Sequence, residues 1–289
     1  MVIPYRVQPM LRYYSQLSRQ LQRWRYLGVS LAIALILTVG QPMVAQAISW
    51  GDLILRGIQV IQLSSLSDRQ EVEIGQQINQ QLTRGQVRIL QNSQVNEYVN
   101  QIGQRLAASS TRPNIPYRFQ VVDDRGVNAF ATMGGFVYLN RGLLNLASNE
   151  AELASVMAHE IGHIAGRHSV AQMRKMAVAS GLVGAAGLDR STAVNIGVEL
   201  AFRRPNSRQD EYAADTLGLE TLAKTGYAQS AMVNFMSKLL QSRSIPTFLS
   251  THPATSERIG RLQQSISPAS TYGDGLDGVT YRSRLRSLS

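Results

Sequence analysis

The sequence predicts a helix-rich α+β domain with one small sheet, and three observations carry that expectation. Apolar residues recur at helical spacing through much of residues 67–266. One hairpin signal, Gly134-Gly135, stands between two short β-prone runs. Asn149-Glu150-Ala151-Glu152 has the form of a capping box and opens a long helix.

The elements follow in order. Residues 1–47 carry five arginines and no acid, and lead into YLGVSLAIALILTVG and then Ala45-Gln46-Ala47. This is the layout of a secretory signal peptide with cleavage after Ala47; the long basic leader keeps an uncleaved N-terminal membrane anchor as the alternative. Either way the rest of the chain is expected in the periplasm or another extracytoplasmic compartment. Residues 48–66 read as a linker or a short apolar helix. DRQEVEIGQQINQQL, after Ser67, supplies apolar residues at helical spacing (Val72, Ile74, Ile78, Leu82), and residues 95–109 repeat the pattern with Val95, Val99, Ile102 and Leu106. Pro113 and Pro116 break the chain, YRFQVVDD alternates like a strand, and NAFATMGGFVYLN reads as the hairpin.

After the capped helix, the glycine-studded run 176–188 is too short to span a bilayer and reads as a helical excursion or lid. Further helices are expected from Ser207, around 229–241 and around 255–266, followed by a loose tail over 267–289.

Composition narrows the function classes. With 44% hydrophobic and 17% charged residues, the 289-residue chain is globular rather than disordered. The absence of cysteine excludes disulfides, thiolate metal sites and a cysteine nucleophile. The formal charge of +10 invites a nucleic-acid reading, but beyond residue 47 the balance is 24 basic against 19 acidic residues with no basic run. No nucleic acid is therefore expected as a partner.

The chemistry concentrates in HEIGHIAGRH, residues 159–168, which holds three of the four histidines. Successive helical residues turn by about 100°, so His159 and His163 share a face and can offer two imidazole nitrogens to one Zn²⁺. Glu160, about 100° round, can reach a water there and act as general base. A third ligand is needed. His168 is one residue short of the HExxHxxGxxH spacing, and on a continuous helix it faces away from His159. Glu211 is the other candidate. It shares a helix face with Asp215, which could hydrogen-bond the outward nitrogen of a ligand histidine.

Four segments, NAFATMGGFVYLNRGLL, NEAELASVMAHEIGHIAGRHS, SRQDEYAADTLG and THPATSERI, resemble in order and spacing the zinc metallopeptidases of family 48, the family of the CAAX prenyl endoprotease and the heat-shock protease HtpX. The resemblance covers about Ser67 to Ile266 and is greatest to the compact exported branch. It implies a gluzincin-type fold, His159, His163 and Glu211 as ligands of one Zn²⁺ per chain, Glu160 as base and Asp215 behind the ligands. It further implies that His252 faces the metal, either donating to the developing oxyanion or occupying the open zinc position at rest. Arg258 stabilises charge there or pairs with an acid. The edge strand Asn128-Ala129-Phe130-Ala131 is expected to receive an extended peptide, with small Ala129 and Ala131 keeping it open. The resulting expectation is an endopeptidase acting on unfolded or loop segments of misfolded or envelope proteins. The alternative is a catalytically weak chaperone-like or binding module on the same fold. Peripheral or anchored membrane association and the oligomeric state stay open.

Overall fold

The computed structural model describes residues 60, 61, 63, 65–181, 188–203, 206–241, 246–253 and 256–288, all within one unit, Ile58–Ser289. The expected leader, residues 1–47, lies outside the described residues, as do 182–187 of the expected excursion.

Strand β1 (Val60–Ile61) pairs antiparallel with a later pair, Leu188–Asp189 (β5). Leu63 and Leu66 are buried, so this part of the expected linker packs into the domain. Helix α1 (Asp68–Gly85) starts on a full capping box, Ser67 with Gln70, and buries Ile74, Ile78 and Leu82. Helix α2 (Ser93–Ala108) is capped by Asn92 and buries Val95, Val99, Ile102 and Leu106, the stripe read from the sequence.

Strands β2 (Arg118–Val122), β3 (Ala129–Thr132) and β4 (Phe136–Asn140) form a mixed sheet in the order β2-β4-β3. Central β4 runs parallel to β2 and antiparallel to β3, and every one of its residues is buried. β3 is the hairpin's outer arm and an edge of the sheet. The turn between them needs glycine: Gly134 and Gly135 have φ of 78° and 99°, and a Cβ on Gly134 would sit 2.8 Å from Glu71 O on α1.

A short helix, α3 (Arg141–Leu146), leads to α4 (Glu150–Ala165). Only half of the expected capping box forms. Asn149 accepts from Glu152 N, but the Glu152 carboxylate turns to Ser148 N and Lys238 Nζ instead. Every α4 residue from Ala151 to Ile164 is buried, so α4 is a core helix wrapped by α2, β3 and two later helices. α5 (His168–Ala179) follows after Arg167, whose φ of 55° turns the chain sharply. Helix α6 (Arg190–Arg203), which the sequence reading did not anticipate, lies against α1, α5 and β3. α7 (Arg208–Thr225) opens on a Ser207–Asp210 capping box and packs along α4.

α8 (Ser230–Leu240), the four-residue α9 (Phe248–Thr251) and α10 (Ser256–Ser265) follow. The tail is not loose. A 3₁₀ turn at Pro268–Thr271, helix α11 (Gly278–Arg284) and a second 3₁₀ turn carry Tyr281, Leu285 and Leu288 into the core. Their spacing of four and three is the spacing of buried helical positions, carried here from the helix through its cap into the 3₁₀ turn. The interleaved Arg282, Arg284 and Arg286 are exposed.

Candidate metal centre

The site lies where α4 and α7 touch. Gly162 sits between His159 and His163 on α4, and a Cβ there would meet Ala214 O of α7 at 2.6 Å. A Cβ on Gly218 would lie 3.2 Å from His159 N. These small residues let the two backbones approach, which brings the two α4 imidazoles to the Glu211 carboxylate.

His159 Nε2 and His163 Nε2 are 3.1 Å apart. Glu211 Oε1 lies 3.3 Å from His163 Nε2, and Glu211 Oε2 lies 3.5 Å from His159 Nε2. His252, at the end of α9, adds a fourth donor: its Nδ1 is 3.3 Å from His159 Nε2 and 3.2 Å from Glu211 Oε1. All four donors lie within 4.8 Å of one another, on buried side chains. Tetrahedral ligands at a bond length of about 2.0–2.1 Å stand about 3.3 Å from each other. The donor set therefore fits a tetrahedral cation with nitrogen and oxygen ligands.

A second layer backs the donors. Asp215 Oδ1 is 2.9 Å from His159 Nδ1, the nitrogen facing away from the cluster. Arg258 grips Asp215 with Nε and Nη2 at 2.8 and 2.7 Å and contacts Glu211 Oε2 through Nη1 at 2.6 Å. Of the two roles expected for Arg258, the geometry favours pairing with acids. His168 is not among the donors, nor does it point to the far side. The turn at Arg167 brings its Nδ1 within 2.9 Å of His163 Nδ1, so it backs His163 as Asp215 backs His159.

The electrostatics follow from this layout. Burial opposes charge on His159, but hydrogen bonds with Asp215 and Glu211 outweigh it and lift its pKa to about 10. Burial drives His163 down to about 3. Burial disfavours charge on Glu211, yet the surrounding imidazoles hold its carboxyl far below the usual range. Burial, helped by the nearby Glu211 charge, pushes Glu160 upward against the pull of His252 and His159. Both Glu160 oxygens are buried without a hydrogen bond, and the nearest base, His252 Nε2, is 3.4 Å away.

Glu160, His163 and His252 face a cleft of about 510 Å³ that opens to solvent. Its walls are Phe130 to Met133 on one side and Gly197, Leu200 and Ala201 of α6 on the other. Of the expected edge segment, Phe130 and Ala131 line the cleft and Asn128 and Ala129 do not. Asn128 precedes β3 and accepts from Asn140 N, and Ala129 is fully buried in the core, so Ala131 is the small residue at the cleft. Asn206 also lines it. Its Nδ2 lies 3.4 Å from His163 Nε2 and 3.3 Å from His252 Nδ1, and its Oδ1 accepts from Gln172 Nε2 at 2.5 Å.

Residues 93–266 match Peptidase family M48. The chain belongs to that family. It is 32% identical over 217 residues to the beta-barrel assembly-enhancing protease of Escherichia coli K12, covering 68% of this chain and 44% of that protein. It is 34% identical over 212 residues to the putative beta-barrel assembly-enhancing protease of Vibrio cholerae, covering 63% and 43%. Metalloprotease LoiP of E. coli K12 is 28% identical over 257 residues, 84% of this chain and 97% of LoiP. The chain thus spans less than half the length of the first two relatives and nearly all of the third. Family membership makes it a metalloprotease-type domain, and the resemblance seen in the four sequence segments is borne out.

In this M48 domain the structure brings together His159, Glu160, His163, Glu211, Asp215, His252 and Arg258, which the sequence had singled out from three separated segments. Asn206 and Gln172 escaped the sequence reading. The available signal for Asn206 was its position directly before Ser207, the capping residue of α7, which ties it to the start of the Glu211 helix.

Proposed function

We propose that the chain is an exported zinc-dependent endopeptidase that hydrolyses peptide bonds in unfolded or loop segments of misfolded or envelope proteins. The observation that carries this reading is a four-donor cluster at tetrahedral spacing beside a buried carboxylate with no hydrogen bond. On this reading the peptidase domain runs from Ser67 to Ile266, and His159, His163 and Glu211 hold one Zn²⁺. A bound zinc ion supplies Lewis-acid polarisation and brings a water's pKa toward about 7.

The chain's own residues do the rest. Asp215 keeps a proton on His159 Nδ1, and His168 Nδ1 accepts the proton on His163 Nδ1, so both Nε2 lone pairs face the donor cluster. Glu160, ionised, takes a proton from the attacking water on a carboxylate oxygen and returns it to the leaving amine. An extended peptide adds alongside edge strand β3 by backbone hydrogen bonds, which gives weak sequence selectivity. The place of His252 Nδ1 in the donor set supports the resting-ligand alternative, in which the imidazole leaves before substrate enters. Once displaced, it can donate to the oxyanion.

Export rests on the leader pattern of residues 1–47, removed after Ala47 or kept as an anchor. Among the described residues no helix is long and apolar enough to cross a membrane. Similarity to a protease named for enhancing β-barrel assembly supports an envelope setting.

The test is zinc content and casein hydrolysis of the purified chain and two variants. Glu160→Gln is expected to keep one zinc and lose about 10²–10⁴-fold in rate. Glu211→Ala is expected to lose both zinc and activity. A Glu160→Gln protein that cuts casein at the wild-type rate overturns the mechanism.

A further inference from the structure

We propose that Asn206 is a catalytic residue: its side-chain N–H donates to the oxygen that gains negative charge as the peptide carbonyl is attacked. The proposal rests on the peptidase reading above. It adds a donor to the oxyanion site, for which the sequence analysis had offered His252, or else a resting-ligand role for that residue.

Three constraints fix the amide. Asn206 immediately precedes Ser207, whose hydroxyl caps α7, so its backbone is set by the same turn that launches Glu211. Its backbone N–H donates to Thr251 O at 3.0 Å, beside His252. Its Oδ1 accepts from Gln172 Nε2, which occupies the carbonyl end of the amide and leaves the NH₂ end turned inward.

That NH₂ end points at two ring nitrogens of the donor set, His163 Nε2 and His252 Nδ1. An imidazole nitrogen has one lone pair in its plane, and coordination uses it. When His163 serves as a ligand and His252 swings away, the Asn206 N–H loses both acceptors while Gln172 still holds its orientation. A half-buried donor then faces the position beside the cation where Glu160 and the cleft also converge. The group that arrives there with spare lone pairs is the substrate carbonyl oxygen. A neutral amide donor suits that task. It is preorganised, does not titrate, and gains strength as charge develops on the acceptor. While its Nδ1 is held in the cluster, His252 offers only its Nε2, 3.4 Å from Glu160 Oε1, whereas the Asn206 N–H is aimed at the cluster throughout.

The experiment compares wild type, Asn206→Ala and Asn206→Asp on a fluorogenic peptide, with zinc stoichiometry and thermal melting measured on each. Asp keeps the shape but lacks the NH₂ group, so it guards against a packing defect in the Ala variant. Expected for both is a kcat lower by about 10²–10³-fold, KM within about threefold and zinc unchanged at one per chain. The second readout is binding of a phosphinic peptide, whose tetrahedral anion resembles the transition state. Its affinity is expected to fall by the factor lost in kcat/KM. The uncleaved parent peptide should bind equally well to Glu160→Gln with and without Asn206→Ala. A kcat within threefold of wild type, a kcat loss with phosphinic affinity intact, or loss of zinc in both variants overturns the assignment. So does faster turnover, which would mean that Asn206 merely holds the His252 segment shut. Wild-type protein that cleaves nothing tells against the peptidase reading instead, a result separable from all of these.

Discussion

Replacing Arg258 with methionine tests the electrostatic design of the centre most directly. Arg258 is 3% exposed and spans two acids, Asp215 through two nitrogens and Glu211 through a third, while Nη1 also reaches Pro253 O at 3.0 Å. Methionine fills a similar volume, so the cavity cost is small and the lost charge dominates. Removing one member of a buried ion pair costs about 3–5 kcal/mol, because the remaining charge stays desolvated. For a domain of this size that lowers Tm by roughly 6–20 °C, at about 2–4 °C per kcal/mol. On the proposed reading bound zinc would supply a new counter-charge to Glu211, so the deficit should shrink in zinc-saturated protein. The acid dependence has a definite sign. Burial raises the Asp215 pKa, but His159 and Arg258 outweigh it and hold it below its usual 3.8. The stability it contributes is therefore complete above that value and lost as pH falls through the folded pKa. The difference between variant and wild type should be full near neutrality and close below pH 3.8. The assay is thermal unfolding followed by circular dichroism, zinc-free and zinc-loaded, across that range. A zinc-free Arg258→Met protein melting within 2 °C of wild type would refute the reasoning, since the imidazoles alone would then suffice for two buried carboxylates.

Two further changes probe how the site is held. Gly162→Ala forces a methyl group against Ala214 O, which as backbone cannot yield; the expected cost is about 1–3 kcal/mol, with at least a tenfold loss of zinc affinity by chelator competition. Gly85→Ala, with nothing within 4 Å of the added Cβ, is its neutral control. Tyr281→Ala removes a ring that is 1% exposed and an O–H that donates to Leu144 O at 2.7 Å; urea denaturation should show a loss of about 3–5 kcal/mol, against almost none if the tail were loose.

How much of this was legible in the sequence depended on range. The α1 and α2 stripes, the Gly134-Gly135 turn and the start of α4 are local features, written in spacing of three and four or in a residue that tolerates positive φ. The His159–His163 pair was legible for the same reason. Helix α6 was not, because its Ala193, Val194, Ile196, Val198 and Ala201 are buried on several sides and show no clean amphipathic period. The parallel β2–β4 pairing leaves no local mark at all. His168 was misplaced because its direction depends on a left-handed backbone at Arg167, a non-glycine residue that sequence patterns do not flag. Asn206 matters only through partners 34, 43 and 46 residues away.

The same distinction between local and distant support separates the four donors. His159, His163 and Glu211 stand on helices whose backbones are in contact at Gly162, so moving any one of them means repacking the core. His252 stands on α9, a four-residue helix, where Phe248 N bonds Val127 O, Thr251 O accepts from Asn206 N, and the Phe248 ring stacks on the imidazole at 4.6 Å. A few hydrogen bonds and one stacked ring cost far less to break than a helix interface, since each hydrogen bond is worth about 0.5–1.5 kcal/mol net. On the proposed reading, substrate binding must supply only that smaller amount to exchange His252 for a carbonyl oxygen. The three helix-borne donors would meanwhile stay in place. On that reading His159, His163 and Glu211 would hold the metal from packed helices and His252 from a short, weakly tethered one, and the Phe248 and Thr251 contacts would set how readily His252 gives way.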